Sequence, residues 1–541
     1  MSFACPPARH RGATALLVGA AITLALARAS AQRFSESPLP ILVIDAAADS
    51  IPDEPKVLTR LRVVYNGEGV RNRLDGSTLD YVGAVAIERR GASSQLHPKR
   101  GFGLELRDGD GEDTDAPLLG MPPEEDWVLH GPYADQSLVR NAFTYAMARG
   151  LSTYAPRTRF VELVLDGEYE GVYLLTESVK RDRARVDVAK LTAADTIGEP
   201  LTGGYILKLD KAVADDPAYV SSFSLPHQSA LAAQGTHIRY HYPKPDRIRP
   251  QQRAYIRDWM ADFEATLAAD DFEDPLAGFA PLIDAESFTD FLFVNEITRN
   301  IDAYVFSTYL YKERDRDGGR LHMGPVWDFN FALGYAHWNS GQDPEGWVFE
   351  NRRPEPARAE VPFWWERLWS AREFREGAET RWRNLRADGG ALSDRRLGGL
   401  LDSLEAAVGG EVAERNFRRW PTLGSDTHAG QVQGLRDFLA ARLLWMDEQL
   451  GRDIRLPGAG GPAAEARVAP NPGGGSVLRV LGVAGDDHPV SVEWYDGMGR
   501  RVGTSTVERL GDVLEARVSG DVLFYRVYGA GGLKGAGLWL R

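Results

Sequence analysis

The chain has 541 residues, too many for one ordinary hydrophobic core, so two or more domains are expected. Hydrophobic residues make up 43% and charged residues 26%, a globular balance. With 63 basic against 77 acidic residues the net charge is −14, which argues against a general nucleic-acid or anionic-membrane binder.

The start reads as a targeting segment. Arg9-His10-Arg11 precedes an apolar stretch from Ala13 to Ala27, and Ala29-Ser30-Ala31 closes it. A basic start, a short apolar run and small residues at the end are the parts of a secretory signal peptide, expected over 1–31. The apolar run is too short for a spanning helix, and no later stretch is long and apolar enough. The only cysteine, Cys5, lies inside this segment, so an exported mature chain has no disulfides and relies on its size for a core.

Strand patterns come next. Leu39 to Ile44 and Val57 to Tyr65 read as strands, and Tyr81 to Glu88 and Phe102 to Leu106 alternate like strands on one sheet. Asp135 to Ala148 has helical spacing through Leu138, Phe143 and Met147. Phe160 to Leu165 and Gly171 to Thr176 flank Asp166-Gly167, a strong hairpin signal. Gly203 to Asp210 is a further strand. From Arg249 the period turns helical, and further helices are expected at 288–297, 363–369, 374–385, 397–408 and 432–450. Between the first two lies an aromatic strand, Tyr304 to Tyr311, a charged turn and the segment Trp327-Asp328-Phe329-Asn330. Strands first and helices second point to an α+β core with two lobes. Residues 451–466 are rich in Gly, Pro and Ala and read as a linker. Short strands with glycine turns follow over 467–541, the pattern of a small all-β sandwich.

Four places carry candidate chemistry. The loop Arg90 to Ser94, followed by His97, Lys99 and Arg100, offers backbone N–H groups and a lysine to phosphates, or is a solvated basic turn. Arg140, on a helix beside Asn141, can pair with a phosphate, or make a surface ion pair. Glu177 ends a hairpin strand, where a carboxylate often edges a cleft. Asp302 and Asp328 flank the aromatic hairpin, and paired carboxylates there suit a hard cation and phosphates as well as they suit turns. The ten histidines show no metal spacing, and no G-x-S-x-G element is present.

Taken together in order, these segments resemble the CotH family, which is similar to atypical protein kinases. The resemblance rests on Leu39 to Lys56, Glu88 to Leu106, Ser137 to Asn141, Asp166 to Glu177, Gly203 to Lys208 and Trp327-Asp328-Phe329, and covers about residues 39–450. It implies a two-lobed kinase-like fold that transfers the γ-phosphate of ATP to a protein serine or threonine, with Mg²⁺ or Mn²⁺. By that resemblance Lys99 meets the ATP phosphates, Arg140 and Glu177 line the nucleotide site, Asp302 is the catalytic-loop aspartate and Asp328 binds the metal. Two positions depart from it. Ser307 stands where an asparagine is a second metal ligand, and Asn330 where a second aspartate is usual; both retain an oxygen ligand. Val468 to Pro472, Val490 to Arg500 and Phe524 to Val527 resemble the sorting domain of type IX secretion substrates. That implies export through the periplasm to the cell surface, with the secretion machinery as a partner. The rival reading is a catalytically silent, kinase-shaped surface protein that binds or assembles an outer layer. A carbohydrate-active module has little support beyond the tryptophan content.

Overall fold

The computed structural model describes residues 34–151, 154–211, 218–221, 236–350, 361–421, 427–451 and seven strands within 467–540. The expected leader and all but the first residue of the expected linker lie outside the described residues. The chain divides into two compact units, the first formed by 1–133, 159–176 and 410–423 and the second by the rest.

In the first unit, alternation of apolar residues builds strands whose inner faces meet. β1 (Ile41–Ile44), β2 (Val57–Val64), β3 (Leu79–Arg90), β4 (Gly101–Arg107), β5 (Asp126–His130), β6 (Thr158–Leu165) and β7 (Glu168–Glu177) form a closed barrel in the order β6-β7-β5-β4-β3-β2-β1. Closure comes from a parallel pairing of β1 with β6, running from Ile41 opposite Glu162 to Ile44 opposite Leu165. Leu42, Leu61, Val63, Val85, Leu104, Trp127, Leu163 and Leu175 fill the interior. The expected strands therefore exist and share one sheet, and that sheet closes on itself. β5 is an addition; its short sequence begins with Asp126 and ends with His130, and lacks a strand signature. Asp166 and Gly167 take φ 47° and 80°, so both central residues of the β6–β7 turn have positive φ, as a type I′ turn requires.

The second unit starts with α1 (Arg140–Ala148), shorter than the helical spacing from Asp135 suggests. The reason is a side-chain turn. Asp135 accepts from the backbone N–H of Ser137 (3.0 Å) and of Arg140 (2.9 Å), and Leu138 takes φ 63°. A five-stranded antiparallel sheet follows: β8 (Tyr205–Leu209), β9 (Ala218–Ser221), β10 (Thr236–Tyr242), β11 (Thr308–Lys312) and β12 (Leu321–Met323), in the order β9-β10-β8-β11-β12. The remaining helices are α2 (Pro250–Ala268), α3 (Ala285–Thr298), α4 (Trp364–Ser370), α5 (Arg372–Arg386), α6 (Asp394–Val408), α7 (Glu411–Arg419) and α8 (His428–Gln449); of these α7 belongs to the first unit. From Ser287 onward every residue of α3 is buried. Its aromatic side packs on Trp365, whose ring centroid lies 5.9 Å from Phe291 and 5.7 Å from Phe288. No described helix is long and apolar enough to cross a membrane.

Among 467–540 the strands pair into a three-stranded sheet (Arg467–Pro470, Val477–Leu481, Val513–Glu515) and a four-stranded one (Arg501–Val507, Val490–Tyr495, Val522–Gly529, Gly532–Leu540). Both are antiparallel.

One buried carboxyl makes the second unit pH-sensitive. Glu264 of α2 is 2% exposed, and accepts from Ser221 Oγ (2.7 Å) and Trp364 Nε1 (2.9 Å). Burial outweighs both bonds and pushes its pKa up to about 7. A raised carboxyl pKa means the folded chain holds this proton more tightly than the unfolded chain. The resulting stability is fully present below the ordinary value of 4.5 and is lost as pH rises toward 7. Glu264→Gln stays neutral and is expected to be more stable than the natural chain above neutrality, by about 2–3 kcal/mol, with the gap closing in acid. Denaturant titrations across that range check this, and a gap independent of pH would refute it.

Candidate active site

The site grows from the C-terminal end of α3. The helix stops at Arg299, which takes φ 44°, and the chain enters a loop in which Tyr304 and Ser307 also have positive φ (70° and 49°). Such conformations persist only where surrounding structure enforces them. Here Tyr304 is buried, its ring 4.6 Å from that of Trp365, and its hydroxyl donates to Glu296 Oε1 (2.8 Å). The expected strand from Tyr304 therefore begins only at Thr308, and Asp302 lies in a loop. Asn300 ties this loop to the second aspartate. Its Oδ1 accepts from the N–H of Asp302 (3.2 Å), and its Nδ2 donates to the carbonyl of Asp328 (3.5 Å).

Asp328 has φ 67° and donates its N–H to the hydroxyl of Tyr145 on α1 (3.1 Å). Trp327 stacks on Tyr145 with ring centroids 5.9 Å apart, and Phe329 meets it edge-on at 6.1 Å. An acid between two large aromatics is thus explained: the flanking rings grip one tyrosine and fix the backbone that carries the carboxylate. Asn330 Nδ2 donates to Asp328 Oδ1.

Asp328 is exposed to solvent although protein packs around it. Its pKa is pushed up to about 6, first by that crowding, then by the negative charge of Asp302, with Asp210 adding to it and Lys208 opposing. Four charged groups therefore share one electrostatic neighbourhood. Lys208 and Asp210, two apart on and just beyond β8, pair with each other, and Lys208 Nζ lies 5.4 Å from the ring centroid of Tyr309. In the sequence they show as two charges at strand spacing that interrupt an otherwise apolar strand.

The other expected residues are placed as follows. Lys99 belongs to the first unit, is 1% exposed, donates to Asn416 Oδ1 on α7 (2.7 Å) and lies 5.1 Å from the ring centroid of Tyr173. Arg140 is buried, with Nη1 on Asp135 Oδ1 (2.5 Å) and Nε on the carbonyl of Ala332 (2.9 Å), so it holds the segment that follows Asn330. Glu177 is fully buried and accepts from Arg157 N–H (2.8 Å), Arg157 Nη1 (2.7 Å) and Tyr154 OH (3.0 Å). Ser307 is half-buried at the turn into β11. The second unit thus joins Asp302, Asp328 and Asn330 in one region, while the side chains of Arg140 and Glu177 bond to protein groups of that unit.

Carboxylate oxygens are the donor type that a hard divalent cation takes. Two carboxylates close enough for one charge to raise the pKa of the other gain from a cation between them. Among the described residues Asp302 and Asp328 belong to no cluster of three potential ligands. Among the described residues the only such triple is Asp115, Glu124 and Glu125, in the first unit. A cation at Asp302 and Asp328 would complete its shell with phosphate oxygens and water, as Mg²⁺ does in nucleotide sites.

The family model for CotH kinase protein matches residues 87–446. The chain belongs to the CotH kinase family. The match includes both aspartates and Lys99, and starts after the first strands of the barrel, which the sequence resemblance had taken in. No curated protein matches this CotH-family chain.

Proposed function

We propose that this CotH-family chain is a protein kinase with a two-lobed core, transferring the γ-phosphate of ATP to a serine or threonine of an exported protein. The observation that carries this reading is the grouping of Asp302, Asp328, Lys208 and Asp210 in one electrostatic neighbourhood of the second unit, within the span of the CotH kinase match. Asp302 orients the acceptor hydroxyl and takes its proton. Asp328 holds the cation, Mg²⁺ or Mn²⁺. Lys208 offers a positive charge to phosphate oxygens. When bound, the cation neutralises phosphate charge as it develops on transfer.

The test is transfer of label from γ-labelled ATP to a casein-like acceptor by the mature chain, with either metal. Transfer that Asp302→Ala and Asp328→Ala each abolish supports the reading. Absence of transfer together with absence of a nucleotide-dependent thermal shift sinks it. The second reading, a silent kinase-shaped binding module, is favoured by Lys99, which is buried against Asn416, and by Ser307 at an expected ligand position.

Residues 467–541 act, in this proposal, as a β-sandwich sorting domain for type IX secretion, taking the chain to the cell surface after removal of 1–31. The two antiparallel sheets there support a β module. Deleting 467–541 is expected to leave the core folded and block surface display; unchanged display refutes the assignment.

A further inference from the structure

A run of side-chain amides in the second unit has a polarity fixed by a backbone group. The N–H of Phe329 can only donate, and it donates to Asn141 Oδ1 (2.7 Å). That leaves Asn141 its Nδ2 for the next contact, which goes to Asn330 Oδ1 (2.9 Å). Asn330 then has only its own Nδ2 to turn toward Asp328, and it donates to Asp328 Oδ1. Asn141 is 6% exposed and follows Arg140, which is itself bound to Asp135 and Ala332. The relay therefore starts from a rigid helix end.

We propose that Asn141 and Asn330 are positioning residues that hold Asp328 by this relay, with Asn330 a hydrogen-bond donor to the cation-holding carboxylate and not itself a cation ligand. The role of the cation rests on the phosphotransfer reading above. With Oδ1 occupied by the amide, Oδ2 is the oxygen Asp328 offers a hard cation. An aspartate at 330 has no proton to donate at neutral pH and would repel Asp328. The asparagine found there instead supplies the donor that aims the carboxylate.

Two variants separate this from a merely structural role. In Asn141→Asp the Phe329 N–H keeps its acceptor, so the backbone anchor survives. The second carboxylate oxygen, however, draws the Asn330 Nδ2, and turns the Asn330 oxygen onto Asp328. Asn330→Leu removes the donor and leaves the Phe329 contact alone. Both are expected to weaken binding of Mn²⁺ alone to the full chain about ten-fold, with a thermal midpoint close to that of the natural chain. A metal-free measurement stands beside it. In the chain labelled with ¹⁵N-asparagine, the side-chain amide of Asn330, identified by its loss in Asn330→Leu, is expected to exchange slowly with solvent and to be released in Asp328→Ala. An Asn330 amide that exchanges freely, or Mn²⁺ affinity unchanged in both variants, overturns the relay. A protected amide in a chain that binds no Mn²⁺ overturns the phosphotransfer reading instead, and leaves the relay standing as the hold on Asp328.

Discussion

Glu296→Ala is expected to destabilise the second unit by about 3–5 kcal/mol, the usual cost of removing one partner of a fully buried ion pair. Glu296 and Arg442 are both 0% exposed at the side chain, with Nη2 on Oε2 at 2.8 Å. The carboxylate also accepts from Tyr304 OH (2.8 Å), Val348 N–H (2.8 Å) and Phe349 N–H (3.2 Å). Burial raises the Glu296 pKa and lowers that of Arg442 to about 10, so for both groups desolvation outweighs their attraction. Such a pair adds little net stability as a whole, yet leaving one member alone is costly. Alanine would strand a buried guanidinium, two backbone donors and a phenol. Arg442 would keep the carbonyls of Glu296 (2.7 Å), Pro344 (2.8 Å) and Gly346 (2.7 Å), which softens the loss without replacing the charge. Because Tyr304 anchors the Asp302 loop through Glu296, the variant should also lose any transferase activity before it unfolds. Thermal and urea denaturation measure the first effect. A midpoint unchanged within about 1 °C would contradict it.

Asp302→Asn is the expected rate defect. If Asp302 is the base, as proposed above, its loss lowers turnover about 10²–10⁴-fold. The loop itself should survive, since it is held through the Asp302 backbone, Asn300 and Tyr304. The substitution also removes the like charge next to Asp328, so the Asp328 pKa should move down from about 6 toward the ordinary carboxylate value. Initial rates at saturating nucleotide test the first part, and carboxylate titration by NMR the second. More than about a tenth of the natural rate in Asp302→Asn would remove Asp302 from the base role.

The two aspartates were legible because each interrupts an apolar pattern. Asp302 follows the helix-stopping Arg299-Asn300, and Asp328 stands between Trp327 and Phe329. The relay was not legible, because Asn141 and Asn330 are distant in the chain and asparagine is common in turns. Lys208 and Asp210 were read only as part of a strand. Their link to Asp328 needs the pairing of β8 with β11, in which Lys208 lies opposite Tyr309.

Local order is what this sequence determines by itself. Alternation gives most barrel strands, Asp166-Gly167 gives a hairpin turn, and helical spacing gives the larger helices of the second half to within a few residues. Those signals act between near neighbours along the chain, through pleat, turn and helix geometry. The tertiary structure alone decides that β1 pairs in parallel with β6 and closes a barrel, since alternation sets which face is apolar but not which strand lies beside it. It decides as well that Lys99 is bonded to Asn416, and that Arg140 and Glu177 bond protein groups, because partners for buried charges are chosen by packing between distant segments.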